Sequence, residues 1–142
     1  MSVVLGLVMN VGTSAAAPST DAAAAAACPE PAGSYDISAR RSDGAVAEGT
    51  VYFYNDFGTK RVTSASKAQL PPPFNWVAIP EGSGNWYVDS TCHLIFQLSN
   101  SQGGFSRYRS LTPSYDVNGI KGATGYVEAT GGSGTWAMSR KY

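Results

Sequence analysis

From residue 33 onward the chain alternates apolar and polar residues with a period of two, and turn-forming sequence cuts the alternation at short intervals. No stretch of ten or more residues in this region carries helical periodicity. Side chains on a strand point to opposite faces in turn, so such a pattern builds sheets with one buried face. Residues 34–41 set Tyr35, Ile37 and Ala39 against Asp36, Ser38 and Arg40, and Ser42-Asp43-Gly44 follows as a hairpin turn. Residues 46–54 form the next expected strand, ending at Asn55-Asp56-Phe57-Gly58, and residues 60–69 a third, polar one. Pro71-Pro72-Pro73 then removes three backbone donors and breaks the pattern.

The second half repeats this style. Residues 85–89 place Trp86 and Val88 on one face. Residues 92–98 are the strongest strand, with Cys92, Leu94, Phe96 and Leu98 expected inside and His93, Ile95 and Gln97 outside. Residues 105–111 alternate again, followed by 115–117, an Asn118-Gly119 hairpin signal, 123–130 and 135–140. Gly82-Ser83-Gly84 and Gly132-Ser133-Gly134 read as turns. The fold class is all-β: a single antiparallel meander closing into a small eight- to nine-stranded barrel, which removes exposed edges. A β-sandwich is the alternative.

The first residues differ from the rest. Val3-Val4-Leu5-Gly6-Leu7-Val8-Met9 is apolar but too short to span a bilayer, and Ser14-Ala15-Ala16-Ala17 resembles a signal-peptidase site. No Lys or Arg precedes Arg40, so the usual positive n-region is missing. We expect residues 1–27 to be a signal peptide or Ala-rich leader and residues 28–142 to be the barrel domain of a secreted protein. Cys28 and Cys92 are the only cysteines, and an even count in an exported chain reads as a disulfide. That bridge would close a loop of about 64 residues. Acylation of Cys28 after Ala25-Ala26-Ala27, as in a lipoprotein, is the rival.

Composition removes several functions. The formal net charge is zero and charged residues make up 14% of the chain. There is no basic field for nucleic acid and no polybasic surface for anionic lipid. One His and two Cys do not complete a tetrahedral metal set, so neither a metal nor a cofactor is expected. His93 lies next to Cys92 on the opposite strand face, so the two cannot work as base and nucleophile there. No Gly-x-Ser-x-Gly elbow is present. The ten acids lie mostly in turns or on polar faces, so paired carboxylates for glycoside hydrolysis are not evident.

Gly33-Ser34-Tyr35, Gly84-Asn85-Trp86 and Gly134-Thr135-Trp136 share a Gly, small polar, aromatic pattern. With Arg140 on the closing strand, Gly33, Tyr35 and Trp136 resemble the calycin barrels (lipocalins, avidins and fatty-acid-binding proteins), with Tyr35 in place of the family's Trp. The run Gly119-Ile120-Lys121-Gly122-Ala123-Thr124-Gly125-Tyr126 is similar to dirigent and allene-oxide-cyclase barrels. The resemblance implies a lumen that binds or cyclises apolar small molecules.

Within such a lumen Arg107 and Arg109 could hold a ligand carboxylate, while Trp86, Phe96, Tyr108, Tyr115 and Trp136 would line an apolar pocket. If the same strand shows its arginines to water, Tyr108 is inside instead. The expected function is therefore binding of a small apolar ligand by an exported barrel. The alternatives are a cofactor-independent cyclase or isomerase, and a filled-core interaction protein acting through loops such as the one with Phe74 and Trp76. A core filled by Leu94, Phe96, Trp86 and Trp136 would leave no room for a lumenal ligand. Oligomeric state is not legible.

Overall fold

The structure is a computed structural model that describes residues 28–69 and 76–141. The leader and the Pro71–Phe74 region lie outside the described residues. Nine strands form among them: β1 (Gly33–Arg41), β2 (Val46–Asp56), β3 (Thr59–Ala68), β4 (Gly82–Val88), β5 (Leu94–Ser99), β6 (Phe105–Ser110), β7 (Ser114–Asp116), β8 (Gly119–Ala129) and β9 (Gly132–Arg140). They join in one antiparallel sheet in the order β9-β1-β2-β3-β4-β5-β6-β8-β7, and β9 also pairs with β8. That second pairing closes an eight-stranded barrel and leaves β7 as a short extra strand on β8.

The expected meander holds with one excursion. Arg107 of β6 faces Glu128 of β8, so β6 skips β7. Closure joins Trp136 to Gly125 on one side and to Ala39 on the other. The period-two pattern settles which faces turn inward: Tyr35, Ile37, Ala39, Val51, Phe53, Val62, Leu94, Leu98, Val127 and Met138 are all buried in one cluster.

Three boundaries differ from expectation. Gly82-Ser83-Gly84 and Gly132-Ser133-Gly134 are strand, not turn. At Gly84 a Cβ would lie 1.7 Å from the Gln97 carbonyl oxygen, and at Gly134 2.0 Å from that of Arg40. Neighbouring backbones crowd there, and only glycine fits. Cys92 belongs to the β4–β5 loop with φ of 64°, because β5 begins at Leu94. The Asp89 carboxylate organises that loop by accepting the backbone N–H groups of Thr91 and His93, each at 3.0 Å.

Both mouths of the barrel are closed. At one, Trp76, Ala78, Ile79 and Pro80 fold inward and are buried. The Gln69 amide fixes this plug, accepting from Ala78 N at 3.1 Å and donating to the Ile79 carbonyl at 2.6 Å. Val77 N donates to the Thr130 carbonyl at 3.0 Å. At the other mouth the chain before β1 forms an arm. Cys28 is disulfide-bonded to Cys92, with Cα atoms 5.1 Å apart. The Glu30 carbonyl accepts from Ile120 N at 2.9 Å, and Glu30 pairs with Lys60 at 3.2 Å. Beneath the arm the Tyr35 hydroxyl donates to the Ile120 carbonyl at 2.7 Å, and Arg140 donates to Gly119 and Ile120 carbonyls at 3.0 Å each.

Candidate functional site

The interior is filled by its own aromatics. Phe96 and Tyr108 stack with centroids 4.3 Å apart, and Trp136 meets both edge-on at 5.5 Å. Phe53 meets Phe96 edge-on at 5.2 Å, Trp86 at 6.2 Å and Tyr35 at 5.4 Å. Offset and edge-to-face contacts of this kind add to the burial of each ring. The polar ends are satisfied: Trp86 Nε1 donates to the Tyr54 carbonyl at 2.9 Å and Trp136 Nε1 to that of Tyr126 at 2.9 Å. The Tyr108 hydroxyl donates to the plug carbonyl of Ala78 and accepts from the Ser106 hydroxyl at 3.1 Å. Burial pushes the Tyr108 hydroxyl well above the ordinary tyrosine range.

The residues expected to line one pocket therefore separate. Trp86, Phe96, Tyr108 and Trp136 meet in the core. Arg107 and Arg109 stand on the outer wall of β6, exposed, because Ser106, Tyr108 and Ser110 take the inner face. Tyr115 lies apart on β7 and is 62% exposed. The physical reason is volume and charge together: the stacked rings occupy the interior, and a guanidinium buried there would lack a partner.

The outer arginines border a groove of about 610 Å³ across β4, β5 and β6, whose lining includes Asn85, Tyr87, Ile95, Gln97, Arg107 and Arg109. Sheet register assembles it. Tyr87 faces Ile95, Ile95 faces Arg109, and Arg109 faces Tyr126, one row around the barrel wall. Ile95 points outward, yet is only 8% exposed; it forms an apolar floor. Arg107 Nε donates to Gln97 Oε1 at 3.3 Å, and its guanidinium lies 5.6 Å from the Phe105 ring. Arg109 pairs with Asp89 at 3.4 Å through one nitrogen, with its side chain 59% exposed. The backbone N–H of His93 and the Thr91 hydroxyl hold the Asp89 carboxyl at about 2, so it stays ionised beside Arg109.

Sequence alone shows Arg107 and Arg109 sharing a face ~7 Å apart. It does not align Tyr87 and Ile95 with them, since cross-strand register depends on loop lengths. His93 belongs to the same loop: its Nδ1 lies 2.7 Å from Thr91 Oγ1. Among the described residues no group of three or more His, Cys, Asp or Glu is placed to hold a metal ion.

The fold and wall define a small, closed, filled antiparallel barrel with an outward groove. A de novo designed fluorescence-activating β-barrel is similar in structure, with a TM-score of 0.55 and 19% identity over 78% of this chain and 94% of that one. At that identity the likeness is one of fold. No family model and no curated protein matches the sequence.

Proposed function

We propose that this chain is an exported binding protein that holds a small molecule with an apolar body and a carboxylate on its outer wall, in the Arg107–Arg109 groove. The observation that carries the proposal is the pairing of a filled lumen with a groove that offers an apolar floor and two guanidinium groups. Ile95 and the Tyr87 ring suit the apolar body, while Arg107 and Arg109 suit the anion. Asn85 and Gln97 add amide donors and acceptors at the rim. A barrel cyclase needs a reaction chamber, and the filled interior counts against one. The disulfide supports an oxidising compartment, with residues 1–27 as the leader and residues 28–142 as the barrel domain. The designed barrel of similar fold is fluorescence-activating, which is in keeping with small-molecule binding on such a scaffold.

The test is an amide NMR titration with a medium-chain fatty acid and with an aromatic carboxylate. Shifts are expected at Tyr87, Ile95 and Arg109, and their loss in the Arg107→Gln/Arg109→Gln variant. Absence of any shift, or shifts centred on Phe96 and Trp136, would overturn the proposal.

A further inference from the structure

Phe57 sits at the tip of the β2–β3 hairpin with φ of 53°, followed by Gly58 at φ of 90°. Two successive positive φ values define a turn that ordinarily takes Asn-Gly or Asp-Gly, because a larger side chain crowds its own backbone. The Phe57 side chain is also fully exposed, at 108%. A backbone cost and an exposure cost fall on one residue, with nothing among the described residues covering the ring. Such a combination points to a contact outside the molecule. Val117 repeats the exposure at the β7–β8 tip, at 99%.

These tips project from the same end of the barrel. The Asp56–Thr59 pair closes the β2–β3 hairpin beside Lys60, which bonds the arm residue Glu30. The β7–β8 hairpin leads into Gly119 and Ile120, which lie under the same arm. Around them most charges pair off, Lys60 with Glu30, Arg61 with Asp56, and Arg140 with Asp116, while the exposed lysines Lys121, close to Asp116, and Lys141 add positive charge. Among the described residues the end is apolar at its points and weakly basic at its base. The barrel wall differs, with Arg40, Glu48, Lys67, Gln97 and Arg107 exposed along the strands. It lacks the continuous apolar band that a membrane-spanning barrel presents to lipid.

We propose that the arm end docks on a lipid surface, with Phe57 and Val117 entering the interfacial layer. A soft medium accepts isolated projecting side chains. A protein partner of stable affinity wants a continuous complementary patch of about 800 Å², and two separate hairpin tips do not form one. Tyr115, exposed on β7 beside Val117, suits the headgroup level. Because the apolar tips carry the contact and only Lys121 and Lys141 exceed the paired charges, binding should not require anionic lipid, and phosphatidylglycerol should strengthen it only modestly and only at low salt.

The experiment is co-sedimentation of the protein with phosphatidylcholine vesicles, with and without phosphatidylglycerol, at low and high salt. Wild type is expected to bind in all four conditions. Phe57→Asn, which gives the turn its preferred Asn-Gly sequence, and Val117→Ser are each expected to weaken binding about tenfold, and together to abolish it. Circular dichroism should show both variants folded. Tyr126→Ser on the wall should bind as wild type does. Three results would overturn the proposal: wild type remaining in the supernatant, undiminished binding by the double variant, or a wild-type oligomer in size exclusion that the double variant disperses. The last would assign the tips to self-association.

Discussion

Tyr108 shows how one residue links core, plug and the orientation of a whole strand. Its ring completes the stack with Phe96 and Trp136, and its hydroxyl serves the Ala78 carbonyl of the plug. Tyr108→Phe keeps the ring and removes the donor, leaving a buried carbonyl unpaired. Urea denaturation should read a loss of about 1–2 kcal/mol, with the plug amides gaining hydrogen exchange before the strand amides do. The alternation of residues 105–111 leaves open which side of Arg107-Tyr108-Arg109 faces inward. The interior decides it: an aromatic with one satisfied hydroxyl fits beside Phe96, whereas two guanidinium groups need counter-charges that the lumen does not supply. Residue-scale chemistry in the groove is thus set by what the core excludes.

At the scale of elements, glycine governs β4 and β9. Gly84→Ala would drive a methyl into the Gln97 carbonyl at 1.7 Å, and neither backbone can retreat without breaking the β4–β5 pairing. We expect a loss of about 3 kcal/mol by thermal or chemical denaturation, while Ser83→Ala in the same strand should be near neutral. Much of this level is legible beforehand. The inner faces of β1 and β5, the hairpins at Asp43-Gly44 and Asn118-Gly119, and the Cys28–Cys92 bridge all follow from local rules. The Gly-Ser-Gly segments do not, because glycine in a strand is costly locally and is selected only by barrel closure, a long-range condition. The buried plug from Trp76 to Pro80 is hidden for the same reason: proline-flanked sequence reads as surface loop. For the arm, Cys28→Ala/Cys92→Ala should cost about 4 kcal/mol if the bridge acts by restricting the unfolded chain, read from the shift in denaturation midpoint.

Across the whole molecule, the two closed ends are held by groups with different pH responses. The arm end depends on carboxylates. Arg140 and the backbone N–H of Asn118 keep the Asp116 carboxyl at about 2, and the His93 N–H and Thr91 hydroxyl do the same for Asp89 in the Cys92 loop. A carboxyl with a depressed folded pKa binds fewer protons than its unfolded counterpart. Its contribution is therefore complete above about pH 4 and is lost as pH falls toward 2. Tyrosine acts in the opposite direction. Burial raises Tyr108 at the plug and Tyr35 beneath the arm, so their contribution is complete below about pH 10 and falls as pH rises beyond it. In acid the plug end loses the Asp43–Arg41 pair beside Trp76, but the plug itself is fixed by the Gln69 amide and by backbone carbonyls that do not titrate, whereas the arm end loses two carboxylate supports. Amide hydrogen exchange at Ile120, bonded to the arm, and at Val77, bonded from the plug to Thr130, separates the two ends. Referred to the intrinsic rate at each pH, Ile120 protection should fall between pH 4 and pH 2 while Val77 protection persists. Parallel loss at both amides would show that the ends open as one unit, and earlier loss at Val77 would reverse the assignment of acid sensitivity to the arm.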